Sequence, residues 1–501
     1  MAKRNAEKLI LIGLGTVNPD HILNLVSQGK MPALADLIKR GTIAENCLAP
    51  FPTDTSASWT STVTGAWPGT HGRGLRPGDC LKAATLWNAA AGQERPSILI
   101  DCGVRQSVEG VPEPPPGSAG VSIYDGIPGL ETGQPLSEEQ LLTTLSSPQV
   151  RAWPTETEKE LLDLDNFSRT ASSTNTVLSG RADLKKCSEL AQVAHSQYAA
   201  AAVRIMDTVE WQLFFMHDLV LTAIHRALAS LSDKSQAPQR ERAEDSRELP
   251  EAVYESLDTM IGRILEKADR RTLVVLASDH GVIPRGPALN ANKVLADAGL
   301  AVLKDDGEID WALTKAACVR DVHVVVNLKS REPHGIVEPD DYEDVREQAI
   351  KALMDHVDPG SRKRPVAFAL RREDARIFGI YGDCVGDVVL CVEPGHGLEC
   401  CHHLPTAKWG TGALRSLLLL AGPNVKKRTS LQRNVWLVDI APTICYLMDI
   451  PFPETMEGAI LYQALQDPNF RITEKSRLAA NYDRLKRAYD AEISLTHTYN
   501  R

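Results

Sequence analysis

The segment Thr272-Leu-Val-Val-Leu-Ala-Ser-Asp-His-Gly281 is an apolar run that ends directly in Ser-Asp-His-Gly. A short, continuous apolar run bounded by polar residues predicts a strand that is buried on both faces of a sheet. In open sheets of parallel strands, ligands bind at the carboxyl ends of the strands. Asp279 and His280, which follow this strand, are therefore the first candidates for a functional site.

Further apolar runs alternate with longer helix-like stretches along the chain, at residues 9–14, 97–101, 212–216, 388–392 and 414–421. This alternation predicts an α/β fold with a mainly parallel central sheet and helices on both of its faces. Two stretches break the alternation, and we expect them to form inserted subdomains.

The chain of 501 residues is longer than one hydrophobic core usually supports. We expect a composite core with a Pro-, Gly- and Ser-rich insertion, a cap-like insertion and a helical tail. The core parts are 1–102, 186–286 and 373–472, the insertions are 103–185 and 287–372, and the tail is 473–501. The tail is charged and helix-compatible, which predicts packing across the core, against a protein partner or against a second copy.

Composition limits the classes of partner and the compartment. The net charge of -10 argues against nucleic acid and against an anionic membrane surface as partners. The apolar run at 9–14 is too short to span a membrane, and no secretion signal precedes it. The ten cysteines are scattered, which is typical of a protein from the reducing cytoplasm.

A second informative segment is Phe51-Pro-Thr-Asp-Thr-Ser-Ala-Ser-Trp59, which leads into Thr60-Ser-Thr-Val-Thr-Gly-Ala-Trp-Pro-Gly-Thr-His-Gly72. It resembles the nucleophile segment of the type I phosphodiesterase and nucleotide pyrophosphatase family of the alkaline phosphatase superfamily. In that family a Thr or Ser begins a helix whose free N–H groups favour a phosphoryl group. The resemblance implies that Thr55 is the nucleophile. It also places Ser58 where an Asn usually contacts the phosphoryl oxygens.

The resemblance extends to both ends of the chain. It implies that Asp279 and His280 bind one of two divalent metals, and a carboxylate with an imidazole suits zinc or manganese. Residues 414–426, 435–444 and 456–458 are similar to the C-terminal core of the family. We therefore expect an alkaline-phosphatase-like fold.

The metal-binding set departs from the family pattern at the first strand. The family normally ends this strand in a metal-binding Asp, and Gly15 stands at that place here. Asp20 follows five residues later, and we expect it to cap the next helix rather than to replace the missing ligand.

The pattern also breaks after the strand near residue 215, where the family carries Asp-x-x-x-His for the second metal. One register keeps His225 but puts Leu221 at the Asp position. The other register begins at Asp218 and puts Thr222 at the His position. Neither register restores the pair, although His217 with Asp218 would be the residues of a rearranged site.

A last family histidine is expected just before Leu-Pro-Thr at 404–406, and this register points to Cys400. Cys400, His402 and His403 can all bind zinc, so the choice among them stays open.

Two missing carboxylates remove the negative charge that would hold two divalent ions. We therefore expect one ion or none, and a catalytically impaired family member that acts as a binding or scaffold subunit. The alternative is an active metal-dependent hydrolase of phosphate monoesters or diesters with Thr55 as its nucleophile. Both readings imply a small phosphorylated molecule as partner.

Overall fold

The structure is a computed structural model. It describes residues 5–73, 81–100, 121–123, 181–218, 220–222, 249–281, 289–319, 322–382, 385–393, 396, 403–404, 415–473, 475–476, 479–480 and 482–487.

Strands and helices alternate along most of the described chain. The strands are β1 Lys8–Leu14, β2 Gly41–Leu48, β3 Ser97–Ile100, β4 Val121–Ile123, β5 Leu213–Asp218, β6 Thr272–Ser278, β7 Ala316–Val319, β8 His323–Val326, β9 Val366–Arg371, β10 Val388–Val392, β11 Ser416–Ala421, β12 Thr429–Leu431 and β13 Val435–Trp436. The helices are α1 Pro19–Ser27, α2 Pro32–Arg40, α3 Thr55–Thr64, α4 Pro68–His71, α5 Leu86–Ala91, α6 Arg181–Thr208, α7 Glu251–Leu265, α8 Ala291–Asp297, α9 Tyr342–Asp355 and α10 Ile440–Met448.

The central sheet has the strand order β12-β2-β11-β6-β1-β5-β3-β4, with β13 beside β2. β1 lies between β5 and β6 and is parallel to both, so that Leu14 is level with Asp218 on one side and Ser278 on the other. β11 runs antiparallel between β2 and β6. The carboxyl ends of β1, β2, β5 and β6 therefore meet at one edge, and the predicted mainly parallel sheet is confirmed.

Side chains of successive strand residues enter different apolar cores on the two faces of this sheet. Ile10 and Ile12 pack with residues of α1, α2, α6 and α7 on what we call the α6/α7 face. Leu9 and Leu11 pack with Trp59 of α3 and with α10 on the opposite side, the α3 face. The predicted layers of helices on both faces are thus present. Because side chains alternate along a strand, the position of a residue in its strand determines the face to which its side chain points.

A second, smaller sheet has the order β7-β8-β10-β9, and its described neighbours are antiparallel. It packs against α8 and α9. β10 was expected in the central sheet, and this expectation is wrong. An apolar run shows that a strand is buried but not which sheet it joins, and here β9 and β8 take up both edges of β10.

The predicted insertion at 103–185 lies outside the described residues apart from β4 and the start of α6. Across the part of the chain that the structure describes, no helix combines the length and apolarity needed to cross a membrane.

Candidate active site

Helix α3 begins at Thr55 because Asp54 caps it: the Asp54 carboxylate accepts a hydrogen bond of 2.7 Å from the Ala57 N–H. The helix is rich in hydroxyls and almost wholly buried. Thr60, Thr62 and Thr64 each donate their hydroxyl to the carbonyl four residues earlier, at 2.7, 2.8 and 2.7 Å.

Ser58 differs from these buried hydroxyls. Its Oγ atom is buried and has no hydrogen-bond partner among the described residues. Buried polar groups are normally satisfied, and a missing partner points to an unseen water, ion or ligand. The predicted contact of Ser58 with a phosphoryl oxygen stays a prediction.

Trp59 fixes α3 on the sheet. Its ring covers Gly13 of β1, where an added Cβ would lie 2.5 Å from the indole. On the neighbouring strand it packs against the His217 ring, with centroids 4.7 Å apart. Because Trp59 lies one helical turn after Thr55, this packing places Thr55 at the carboxyl edge of the sheet.

Thr55, His280 and Asp279 meet at that edge. The Thr55 Oγ1 atom lies 3.5 Å from His280 Nε2, and Asp279 Oδ2 lies 3.6 Å from the same nitrogen. The His280 Nδ1 atom is 2.8 Å from the Gly281 carbonyl, so Nδ1 carries the proton and the Nε2 lone pair faces the site. This is the arrangement of a histidine oriented to bind a metal.

The Asp279 carboxylate is fully buried, and only one of its oxygens is hydrogen-bonded: Oδ1 accepts from the His280 N–H at 2.8 Å. Oδ2 has no hydrogen-bond partner in the described part of the chain. A buried carboxylate oxygen needs a compensating proton or cation. Asp279 and His280, which lie beside Thr55, are therefore the described residues that could hold a cation at this edge.

The space beside Gly15, where the family resemblance predicts a carboxylate, is filled. An added Cβ at Gly15 would lie 2.1 Å from the Thr222 Oγ1 atom and 3.1 Å from the Asp218 carbonyl oxygen. The Thr222 hydroxyl also accepts a hydrogen bond of 3.2 Å from the Thr16 N–H. The Thr222 side chain thus occupies the space beside Gly15. The sequence identified Thr222 only as the residue that stands where the family carries a histidine.

Asp218, and not Leu221, ends β5 level with Leu14. The structure therefore favours the register that pairs Asp218 with Thr222. Leu221 is buried in the apolar core of the α6/α7 face, as expected for a residue that cannot bind a metal. His217 lies on the other face, against Trp59.

The expectation that Asp20 caps α1 is wrong. Asn18 is the cap, because its side chain accepts from the Asp20 and His21 N–H groups. The Asp20 carboxylate instead pairs with the buried Arg415 guanidinium at 2.5 Å. An ion pair with an existing cation makes Asp20 a poor substitute for a metal-binding carboxylate.

The remaining predicted ligands are only partly described. His403 is buried beside the loop before α3, because its carbonyl oxygen accepts the Thr53 hydroxyl at 3.2 Å. Its Nδ1 atom lies 3.2 Å from the Val392 carbonyl. His225, Cys400 and His402 lie outside the described residues. Among described side chains, no group of three or more His, Cys, Asp or Glu residues is arranged to hold a metal.

His71 is a structural histidine near the far end of α3. Its Nδ1 accepts the Arg73 N–H at 3.1 Å, so the proton on Nε2 is donated to Ser61 Oγ at 2.8 Å. Burial, assisted by the nearby Arg73 charge, lowers the pKa of His71 to about 3. This ring is therefore neutral at physiological pH.

Comparison with known proteins relates this geometry to a family and a fold. The family model described as type I phosphodiesterase / nucleotide pyrophosphatase matches residues 9–72 and 229–408. The structure of wild-type alkaline phosphatase PafA is similar with a TM-score of 0.58 at 14% identity, covering 93% of this chain and 100% of that chain. A multiply substituted PafA variant gives 0.57 at 15% identity, with the same coverage of 93% and 100%. Murine ectonucleotide pyrophosphatase / phosphodiesterase 5 gives 0.48 at 10% identity, covering 92% and 100%. A search of curated proteins found no match.

Proposed function

Because the chain belongs to the type I phosphodiesterase / nucleotide pyrophosphatase family, we propose that it keeps a phosphoryl-binding centre at Thr55 while its two-metal site is eroded. On this proposal the protein binds a small phosphorylated molecule, hydrolyses it poorly or not at all, and acts as a binding or scaffold subunit.

The observation that carries the proposal is the contact between Gly15 and Thr222. The Thr222 Oγ1 atom lies only 2.1 Å from where a Cβ of residue 15 would be, so the carboxylate is missing and its space is occupied. The site could not take up an ion there without moving Thr222. This supports loss of a metal position rather than its replacement by a neighbouring ligand.

One ion still fits the residues present. Asp279, His280 and Thr55 would hold it, and the lone Asp279 Oδ2 supplies the negative charge. When bound, such an ion supplies Lewis-acid polarisation of the phosphoryl group. The chain itself contributes the N-terminus of α3, whose free N–H groups favour an anion.

The Asp54 carboxylate precedes Thr55 and already accepts the Ala57 N–H, so this N–H is not available to a phosphoryl oxygen. Loss of one preorganised stabilising contact commonly lowers the rate by about 100- to 1000-fold. Loss of a whole metal position should lower the rate by at least as much.

A second candidate is an active metal-dependent hydrolase that uses a single ion. The 3.5 Å approach of Thr55 Oγ1 to His280 Nε2 favours it, because the nucleophile and the ligand histidine are already together.

The test combines metal analysis with turnover. Purified protein would be supplied with zinc or manganese, and the bound metal equivalents would be measured by mass spectrometry. The hydrolysis of bis(4-nitrophenyl) phosphate would then be followed. We expect at most one equivalent and no rate above that of Thr55→Ala. AMP binding by calorimetry should weaken in Thr55→Ala but not in Ser56→Ala, an exposed hydroxyl on the same helix turn.

Two bound metals, together with rapid hydrolysis that Thr55→Ala abolishes, would refute the impaired-site proposal. One bound metal with the same Thr55-dependent turnover would instead establish the single-ion hydrolase.

A further inference from the structure

A large groove lies at the edge of the central sheet where its parallel strands begin, which we call the amino edge. It is lined by Lys8 and Thr272, the first residues of β1 and β6, and by Gly422, which follows the antiparallel β11. β1 and β6 are seven residues long, so about 20 Å separates this groove from the carboxyl edge. The groove is therefore distinct from the site at Thr55.

The size of the groove favours a macromolecular ligand. Its volume is about 1770 Å³, and lining side chains such as Arg270 and Lys427 are exposed. Sites for small molecules and cofactors usually measure about 300–1,000 Å³. The groove thus exceeds what a small phosphorylated molecule needs and has room for a segment of polypeptide.

Most carboxylates of the groove are already paired with arginines. Of the five that line it, Glu7 and Asp269 lie 2.6 and 3.7 Å from Arg271 nitrogens. Asp449 lies 3.4 Å from an Arg471 nitrogen. The negative charge of these three side chains is therefore largely compensated within the chain.

The cations of the groove are compensated less well. Of the six that line it, Arg271 is paired as above, and Arg40 lies 2.6 Å from Asp36. Four lining cations lie within ion-pair distance of no described carboxylate: Lys8, Arg95, Arg270 and Lys427. The two other lining carboxylates are Glu210 and Asp467. The groove therefore keeps an excess of positive charge.

The C-terminal tail adds to this positive surface. Thr473 lines the groove, and the described residues from 470 to 487 are helical, as predicted for the tail. Residues 471–487 contain six Lys or Arg and two Asp or Glu, a net charge of +4 in a chain whose net charge is -10. The tail helix is thus opposite in charge to the rest of the protein.

The tail helix also exposes large apolar side chains. Ile472, Tyr482 and Leu485 are 64%, 67% and 66% exposed. Tyr482 and Leu485 are three residues apart, so they lie on the same side of the helix. Of the three arrangements predicted for the tail, this exposure disfavours packing across the core and leaves a partner or a second copy.

We propose that the groove at the amino edge and the tail helix together dock an acidic, partly apolar segment of a partner protein. Carboxylates of the segment pair with Arg270, Lys427 and the cations of the tail, and its apolar side chains cover Tyr482 and Leu485. Complementary charge of this kind steers association and suppresses wrong partners. The proposal goes beyond the proposed function, because it does not involve the Thr55 centre.

A protein segment suits this surface better than an anionic membrane or a nucleic acid. A flat membrane cannot follow the concave lining of the groove. A long polyanion would extend beyond the groove and meet the negative charge of the rest of the chain. A short acidic segment contacts only the groove and the tail helix, where the positive charge is concentrated.

The experiment measures binding of a fluorescein-labelled peptide that repeats Glu-Glu-Leu to the full chain, by fluorescence anisotropy. The double variant Arg270→Glu with Lys427→Glu should weaken binding by about tenfold or more, because each reversal replaces an attraction by a repulsion. The matched control is Lys363→Glu with Arg364→Glu, two exposed cations outside the groove, which changes the net charge equally and should alter binding by less than about twofold. Tyr482→Ser with Leu485→Ser should also weaken binding.

No binding of the peptide, or equal effects of the two pairs of charge reversals, would overturn the proposal. Binding of phosphatidylserine vesicles or of a single-stranded oligonucleotide in place of the peptide would also overturn it, by assigning the surface to another class of ligand. Self-association of the wild type that Arg270→Glu with Lys427→Glu abolishes would identify a second copy as the occupant and overturn the choice of a different protein. Thr55→Ala should bind the peptide like the wild type, and the groove variant should bind AMP like the wild type, so this proposal and the proposed function can fail separately.

Discussion

At the residue scale, Gly15 and Thr222 are coupled by close packing although they are far apart in sequence. The Thr222 hydroxyl accepts the Thr16 N–H, and its position excludes any side chain at residue 15. On the proposed function a metal ligand is lost at Gly15. One substitution would not restore it, because the Thr222 side chain has to move as well.

We therefore expect Gly15→Asp alone to lower the free energy of unfolding by about 1–3 kcal/mol, the usual cost of overpacking a buried site. It should add no zinc, because Thr222 occupies the space of the new carboxylate. Urea denaturation and metal analysis measure the two effects.

The control for this prediction pairs Gly15→Asp with Thr222→Ala, which removes the clashing oxygen. The double variant should regain most of the lost stability. Zinc binding by Gly15→Asp with Thr222 intact would contradict the predicted overlap between the Thr222 side chain and a side chain at residue 15.

At the element scale, helix α2 shows how a long-range contact begins a helix. Met31 precedes it and provides no side-chain cap. The cap comes from α7, where the buried Asp258 carboxylate accepts the Ala33 and Leu34 N–H groups, both at 2.9 Å. The negative charge also suits the positive end of the helix dipole.

Asp258→Ala should therefore lower the free energy of unfolding by about 2 kcal/mol, at the upper end of the range for losing a helix cap. The measurement is urea denaturation at neutral pH. Asp36→Ala, which breaks an exposed pair with Arg40 on the same helix, is the matched control and should change stability by less than about 0.5 kcal/mol. Equal losses in both variants would show that Asp258 does not cap α2.

At the scale of the whole molecule, the central sheet and the small sheet have separate hydrophobic cores. The smaller sheet β7–β10, together with α8 and α9, forms what we call the small lobe. The fully buried Asp387 stabilises this lobe. Arg331 donates to both oxygens of its carboxylate at 2.7 and 2.6 Å, and the Tyr342 hydroxyl donates at 2.7 Å. Burial acts to raise the pKa of Asp387, but the bonds from Arg331 and Tyr342 hold it below its usual value.

Asp387→Asn should destabilise the small lobe by about 3 kcal/mol, the low end for breaking a buried ion pair, because Arg331 is partly exposed. Hydrogen exchange should accelerate at β7–β10 and stay unchanged at β1, β5 and β6. Asp344→Asn, an exposed carboxylate on α9, is the control and should alter neither set. Uniform acceleration in both sheets would show that the lobes unfold as one unit.

The sequence by itself determined the main strands and the meeting of Thr55 with Asp279 and His280. Strand β6 is continuous and apolar, and its two polar residues follow it directly, so their place at the sheet edge needs only local information. The helix start at Thr55 likewise follows from its capping neighbour Asp54. Family membership was predictable because these motifs are local.

Only the tertiary structure decided what surrounds that centre. The choice between Asp218 and Leu221 depended on where β5 ends against β1. The filling of the space at Gly15 by Thr222, and the approach of His195 Nε2 to within 3.5 Å of Asp218 Oδ2, depend on contacts between residues far apart in sequence. Such contacts leave no periodic signal in the sequence, because each depends on the packing of a distant helix or turn.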